Sequence, residues 1–391
     1  MPLVESARLK HEIAIVNGTV IAESRLLPDC NILVESGKIT KITQSPLPGG
    51  LSQIDAGGDY VSPGFIDLHI HGFGGFDATR GDEESLLGMS KALVKYGTTS
   101  FLPTLVSSPT PLTRTFLESV RKCVPQHSGA RILGANLEGP FLNPAKRGVH
   151  REEYLMKPSS TLLKGLIGGF EKVVRILTFA PELDGGLELC REIVGVGIIA
   201  AIGHTNATCE QANQGIKAGI THSTHTFNGM PSIRSREPGA AGAVLSSDRV
   251  KSEIIADGLH LSPEITKLAI RTKQKDGLIL VTDAVMATGS EMTEFELAGV
   301  RAYVRDGGSF TEDGSLCGST LTLERAVKNI MTWNNLSLPD TIQLASLNPA
   351  KQLGIGSRTG SLAEGKDADI VIMDRKLEVT STLVQGIQAY P

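Results

Sequence analysis

The chain is poor in cysteine and carries no excess of positive charge. Its 391 residues include five cysteines, Cys30, Cys123, Cys190, Cys209 and Cys317, an odd number, widely spaced and without a Cys-x-x-Cys pair. That usage supports neither a disulfide framework nor a thiolate zinc site, and it points to a reducing compartment, here the cytoplasm. Lys and Arg total 38 against 42 Asp and Glu, a formal net charge of -4. Nothing there would hold a polyphosphate backbone, so nucleic acid is not expected as a partner. No stretch reaches the ~18 consecutive apolar residues of a membrane span, so no membrane association is expected either. The first residues carry Glu5, Arg8, Lys10 and Glu12 with no apolar run, unlike a secretory signal. No fixed-period repeat or low-complexity tract stands out.

What is present describes a soluble globular protein rich in tight turns: 40% hydrophobic and 20% charged residues, with 43 glycines. The length exceeds one ordinary core, which predicts a large domain with a smaller one. Residues 12–60 alternate short β-rich runs with turn signals at Asn17-Gly18 and Ser36-Gly37, as antiparallel hairpins do. The C-terminal stretch around Ile370–Met373 and Val379 has the same character. One small β domain built from both ends, residues 1–62 and 347–391, is therefore expected around a central domain of residues 63–346.

Within that central part, short apolar runs alternate with helical stretches, the signature of βα units on a parallel sheet. Eight candidate strands fall at 65–71, 99–106, 131–138, 173–180, 198–203, 221–225, 252–257 and 278–283, and eight is the number that closes a barrel. Helices are expected at 83–96, 112–124, 186–194, 209–218 and 263–273. Residues 284–316 are polar and Gly-rich and read as an insertion with its own hairpin over the barrel mouth. A helix then opens after Gly318, with Ser319 or Thr320 as its N-cap, and another near 340–347 ends at Asn348-Pro349.

The residues that could carry chemistry close these runs. His69 and His71 stand at i and i+2 in Pro63-Gly64-Phe65-Ile66-Asp67-Leu68-His69-Ile70-His71-Gly72, so on a strand both rings point to one face. Glu138 ends the third run, His204 follows the fifth, His225 ends the sixth and Asp283 the eighth. The carboxyl ends of barrel strands are where active sites form, so six side chains from around the ring should converge. Imidazole and carboxylate donors without a thiol suit zinc or another divalent first-row ion at a catalytic site. Such an ion lowers the pKa of its water from 15.7 toward about 7, and Asp283 is placed to move protons during amide hydrolysis. His222, three positions before His225, is expected on the opposite strand face as a core histidine. His11 and His127 are expected in exposed loops.

These residues, with Leu137-Glu138-Gly139-Pro140-Phe141, Gly203-His204-Thr205-Asn206-Ala207, Thr224-His225-Thr226-Phe227-Asn228-Gly229-Met230 and Val281-Thr282-Asp283-Ala284, resemble the amidohydrolase superfamily over nearly the whole chain. The resemblance implies an α/β fold, a distorted (β/α)8 TIM barrel with a small β-sandwich from the two termini. It implies a metal-dependent deacetylase acting on a small-molecule amino-sugar phosphate. Glu138, His204 and His225 would be ligands of a principal metal, with Asp283 as general base then acid at its side. His69 and His71 would hold a second ion. Members lacking that pair work with one, so one or two ions per subunit are implied. Glu138 would fill the bridging place that a carboxylated lysine takes in dihydroorotases and hydantoinases; the fourth run, ending Thr178-Phe179-Ala180-Pro181-Glu182, has no lysine. The resemblance also makes His150 the donor to the acetamide carbonyl, and Asn228, the Gly229 N–H, Arg236 and His260 the group holding the sugar phosphate, with Arg236 able to reach a neighbouring subunit in a homodimer. An arginine fork suits phosphate through its paired donors, although Arg234 is a rival two residues earlier.

Overall fold

The computed structural model describes residues 12–126 and 129–391, which leaves His11 and His127 outside the described residues. Eight parallel strands form a ring: β1 (Phe65–Ile70), β2 (Thr98–Val106), β3 (Ala135–Glu138), β4 (Val174–Phe179), β5 (Ile199–Ile202), β6 (His222–Ser223), β7 (Lys251–Ile254) and β8 (Leu278–Leu280), each hydrogen-bonded to the next. The ring closes just beyond β8, where Asp283 N–H donates to the His69 carbonyl and His71 N–H to the Ala284 carbonyl, both at 2.9 Å. Asp67 locks the same seam, its carboxylate accepting from the Thr282 hydroxyl at 2.6 Å. The strands are almost wholly buried, as parallel strands covered by helices must be, and they carry polar residues such as Asp67, Thr104, Asn136 and Glu253 inside the barrel.

Helices α1 (Glu83–Leu93), α2 (Thr110–Cys123), α3 (Ser160–Ile167), α4 (Gly186–Gly195), α5 (Cys209–Ala218), α6 (Gly239–Leu245) and α7 (Pro263–Lys273) link successive strands, and α8 (Leu323–Asn334) follows the insertion. Their starts have local causes. Asp82 caps α1 through the Ser85 N–H, Ser262 caps α7 with Pro263 at the first helical position, and Thr208 with Gln211 forms a capping box on α5. The third expected run is interrupted: a two-residue strand, Arg131–Ile132, pairs with β2 before β3 begins. Gly134 makes the break, at φ 133° with space for no side chain, since a Cβ would stand 2.4 Å from Arg175.

Both termini join one mixed sheet, ordered Ile387–Tyr390, Val379–Val384, Ile370–Met373, Tyr60–Pro63, Glu12–Ile21, Leu26–Glu35, Lys38–Thr43, with Ser52–Asp55 also on Glu12–Ile21. Its last strand turns back onto the C-terminal segment, where Ala368 N–H donates to Gly37 O at 2.9 Å. The sheet therefore wraps its own apolar cluster, Ile15, Ile32, Ile39, Val61, Ile370 and Leu383 among others. Ser36-Gly37 is a hairpin turn as expected, both residues at positive φ. Asn17-Gly18 is not a turn: it bulges a single strand, Glu12–Ile21, and the register shifts there. Close packing requires a glycine at the bulge, because a Cβ on Gly18 would meet Val61 at 2.4 Å.

Residues 284–316 form a three-stranded antiparallel meander, Glu294–Leu297, Val300–Arg305 and Gly308–Thr311. The cap of α8 is Thr322 rather than Ser319 or Thr320. Ser319 is drawn into the barrel rim instead, its N–H donating to Asp283 O at 2.7 Å and its hydroxyl to Thr282 O at 2.5 Å. The expected last helix is two, Leu338–Ala345 and Leu347–Gln352, with Pro349 inside the first turn of the second, where its missing N–H leaves no bond unmade.

Candidate active site

His69 near the end of β1, His71 just past it, Glu138 ending β3, and His204, His225 and Asp283 two or three residues beyond β5, β6 and β8 all lie at the carboxyl rim. All six are buried, and Glu138 stands among them. Its Oε1 is 2.7 Å from His225 Nε2, 3.0 Å from His204 Nε2 and 3.6 Å from His69 Nε2; its Oε2 is 3.3 Å from both His71 Nε2 and His150 Nε2. Asp283 Oδ1 lies 3.0 Å from His71 Nε2 and 3.4 Å from His69 Nε2. Two overlapping donor groups share the glutamate: His69, His71 and Glu138, and Glu138, His150 and His204, with ligand atoms within 4.8 Å of one another. Three of these residues hold backbones in the left-handed region, His204 at φ 46°, His225 at 26° and Asp283 at 52°. Each such non-glycine residue costs of order 1–3 kcal/mol, and such strain gathers where a site requires it.

Ring tautomers follow from the outer contacts. Nδ1 of His71 faces the Thr104 carbonyl at 3.2 Å, Nδ1 of His204 the Lys146 carbonyl at 2.7 Å, and Nδ1 of His69 the Glu253 carboxylate at 3.1 Å. Facing only acceptors, these nitrogens carry the protons, which leaves each Nε2 a bare lone pair turned inward. Yet the Nε2 atoms of His69 and His71 stand 3.2 Å apart, and those of His204 and His225 3.1 Å apart. Bare lone pairs at that distance on His69 and His71 repel unless a cation lies between them; His225 Nδ1 has no hydrogen-bond partner, so its Nε2 is free to serve the same way beside His204. The donor set therefore fits a divalent metal, with outer partners of the kind that orient ligand histidines.

His150 is built the opposite way. Its Nδ1 accepts the backbone N–H of Ser107 at 3.1 Å, so the ring proton sits on Nε2 and points into the cluster. Burial pushes this imidazole down to about 4, which keeps it a neutral donor. The rings opposite behave differently. Burial would lower His71 too, but Asp283 and Glu138 outweigh it and raise the ring to about 9, and Glu138, Glu253 and Asp283 raise His69 likewise. The pocket favours positive charge at those two positions, as a second proton on each ring or, in its place, a cation held by the bare Nε2 atoms.

The cluster floors an open cleft of about 650 Å³, lined also by Gly148, Val149, Asn228, Gly229 and His260, and by Leu297 and Leu316 of the meander. His260 is held by Asp257, whose Oδ2 is 2.7 Å from its Nδ1. Arg236 is not brought to this cleft: it is exposed, on the loop before α6. Arg234 lines a separate cleft with Lys146 and Glu237. His222 is buried as a core residue, as expected. β6 ends at Ser223, strand alternation lapses there, and His222 Nε2 reaches Glu253 Oε1 at 2.7 Å while Glu253 Oε2 accepts the His225 N–H at 2.9 Å.

An amidohydrolase-family model matches residues 60–388, and an N-acetylglucosamine-6-phosphate deacetylase of Lysinibacillus sphaericus is 34% identical, covering 96% of this chain and 97% of that protein. The chain belongs to the amidohydrolase family, among its N-acetylglucosamine-6-phosphate deacetylases. The deacetylase of Pasteurella multocida has the same fold, with a TM-score of 0.92 at 33% identity over 96% of this chain and 99% of that one. A variant of the Mycobacterium smegmatis enzyme, in complex with N-acetyl-D-glucosamine-6-phosphate, superposes with a TM-score of 0.91 at 29% identity over 97% of this chain and 100% of that one. Among the described residues no helix is long and apolar enough to cross a membrane.

Several groups that build the site carry no mark in the sequence. The carbonyls of Thr104 and Lys146 and the N–H of Ser107 are backbone groups, which any residue would offer. Asp67 and Glu253 could have been suspected as acidic residues inside otherwise apolar runs, and Asp257 from its i+3 spacing to His260.

Proposed function

We propose that the cleft binds N-acetylglucosamine 6-phosphate with its acetamide against the Glu138 cluster and hydrolyses it to glucosamine 6-phosphate and acetate. The observation that carries this reading is the opposed hydrogen bonding of the rings: Nδ1 of His69, His71 and His204 faces acceptors, whereas Nδ1 of His150 accepts the Ser107 N–H, so the first three can turn lone pairs inward and His150 an N–H. A divalent ion, zinc foremost, held by Glu138, His204 and His225, with a second at His69 and His71, would supply Lewis acidity and a nucleophile ionised at neutral pH.

The remaining work belongs to side chains. His150 Nε2–H donates to the acetamide oxygen as charge builds on it, a bond stronger in the transition state than in the bound substrate. Asp283 begins as a carboxylate: burial would raise it, but His69, His71 and His225 hold it below its ordinary value. It takes the proton of the attacking water and passes it to the departing nitrogen. Asn228, the Gly229 N–H and His260 receive the sugar and its phosphate. None of the residues lining the cleft is Lys or Arg, and a phosphate calls for one. We assign the exposed Arg236 to the cleft of a neighbouring subunit, which makes the working unit a homodimer. Five free thiols are consistent with the cytoplasm.

Purified, metal-loaded protein should release acetate from N-acetylglucosamine 6-phosphate with far higher kcat/KM than from the unphosphorylated sugar. Equal rates on both, or turnover of a cyclic amide instead, would replace this reading.

A further inference from the structure

Beneath the cluster lies a carboxylate that the reaction does not use. Glu253, on β7, is fully buried and its two oxygens take three donors. Oε2 lies 3.1 Å from His69 Nδ1 and accepts the His225 backbone N–H at 2.9 Å, while Oε1 lies 2.7 Å from His222 Nε2. With nitrogen donors on both oxygens, Glu253 sits as a carboxylate does, in contact with both halves of the site: the ring of His69 on one side, the strained backbone of His225 on the other.

The ligand rings are not anchored alike. His71 and His204 lean on neutral carbonyls, those of Thr104 and Lys146. His69 alone leans on a carboxylate. An ionised acceptor holds the Nδ1 proton more strongly, and it makes Nε2 a better donor to a cation. Asp67 does not duplicate the effect, because it accepts the His69 backbone N–H at 3.2 Å and leaves the ring alone. Charge balance points the same way. Glu138, Asp283 and Glu253 bring three negative charges to a pocket that no Lys or Arg lines. One divalent ion leaves a net negative charge there; two leave a single positive charge, which an ionised water cancels.

We propose that Glu253 is a positioning residue for a cation at His69 and His71: it fixes the His69 tautomer and supplies the charge that lets that half of the site retain its ion. His222, donating to the other oxygen, holds Glu253 in place. The inference rests on reading His69 and His71 as ligands, and it goes beyond that reading by naming what decides their occupancy.

The test is metal binding, measured by competition with a chromophoric chelator on zinc-reconstituted protein. In E253Q the dissociation constant of one ion should rise about 10–100-fold, matching a His71→Ala reference, while the other ion stays as in wild type. Wild-type affinity at both sites in E253Q, equal weakening of both, or a wild-type chain that binds a single ion would each overturn the proposal. Should E253Q not fold, nitrogen-15 histidine spectra of the zinc-loaded wild type decide instead: His69 should carry its proton on Nδ1, and a proton on Nε2 overturns the inference. Neither readout uses acetate release. Protein that binds two ions without deacetylating refutes the substrate alone, and E253Q with intact binding refutes the role of Glu253 alone.

Discussion

The backbone N–H of Ser107 donates to Nδ1 of His150 at 3.1 Å, and that bond sets the chemical role of the ring. With Nδ1 engaged as an acceptor, His150 cannot turn a lone pair to a metal and can only give a proton-bearing Nε2. His150→Ala should therefore lower kcat by about 10²–10³-fold, the usual cost of losing an oxyanion donor, with metal content unchanged. Loss of metal in this variant, measured by elemental analysis, would make the ring a ligand after all.

Asp283→Asn keeps the side chain's shape and removes its ability to carry a proton. The expected result is a fall of about 10²–10⁴-fold in kcat, at constant zinc content. Near wild-type turnover with metal still bound would refute the assigned role.

Arg236 is assigned across a subunit boundary, which makes an unusual prediction. Arg236→Ala should raise KM for the phosphorylated sugar by about 10–100-fold, from charged hydrogen bonds of roughly 1.5–3 kcal/mol, and spare the unphosphorylated one. Mixing dissociated Arg236→Ala and Asp283→Asn subunits should restore activity at low substrate, because one site per hybrid then has both residues. No recovery in hybrids shown to have formed would place the arginine in its own chain.

His260 gives the cleft a pH dependence of known sign. Burial alone would lower this imidazole, but Asp257 outweighs it and raises the ring above its ordinary value. A raised histidine is cationic at low pH, so its help in binding phosphate is complete below about 6.5 and is lost as pH climbs through the raised value. KM should therefore rise on the alkaline side. In Asp257→Asn, without the supporting carboxylate, that rise should begin at lower pH; superimposable profiles would separate His260 from phosphate binding.

The barrel was readable because short β-like runs alternate with helical stretches, and the candidate site because several of those runs close on, or just before, His, Glu or Asp: His71, Glu138, His204, His225 and Asp283. What could not be read depends on contacts between distant segments. Asn17-Gly18 has the composition of a turn, but it bulges one continuous strand, where its glycine lets Val61 pack close. Ser319 looks like an N-cap, yet the ring seam claims its hydroxyl and moves the cap to Thr322. Parity placed His222 away from the site because it assumed a strand running to His225, whereas β6 stops at Ser223. Glu253 escaped notice in mid-strand, where its role depends on partners 28 to 184 residues away. Arg236 is exposed and outside the cleft of its own chain, which its spacing to the neighbouring residues could not reveal.

Anomalous diffraction from a zinc-loaded crystal tests the central claim most directly. A peak should stand about 2.0–2.2 Å from one oxygen of Glu138 and from Nε2 of both His204 and His225, with His150 outside coordination. A peak elsewhere, or those two rings turned away from Glu138 with no ion between them, would contradict the account.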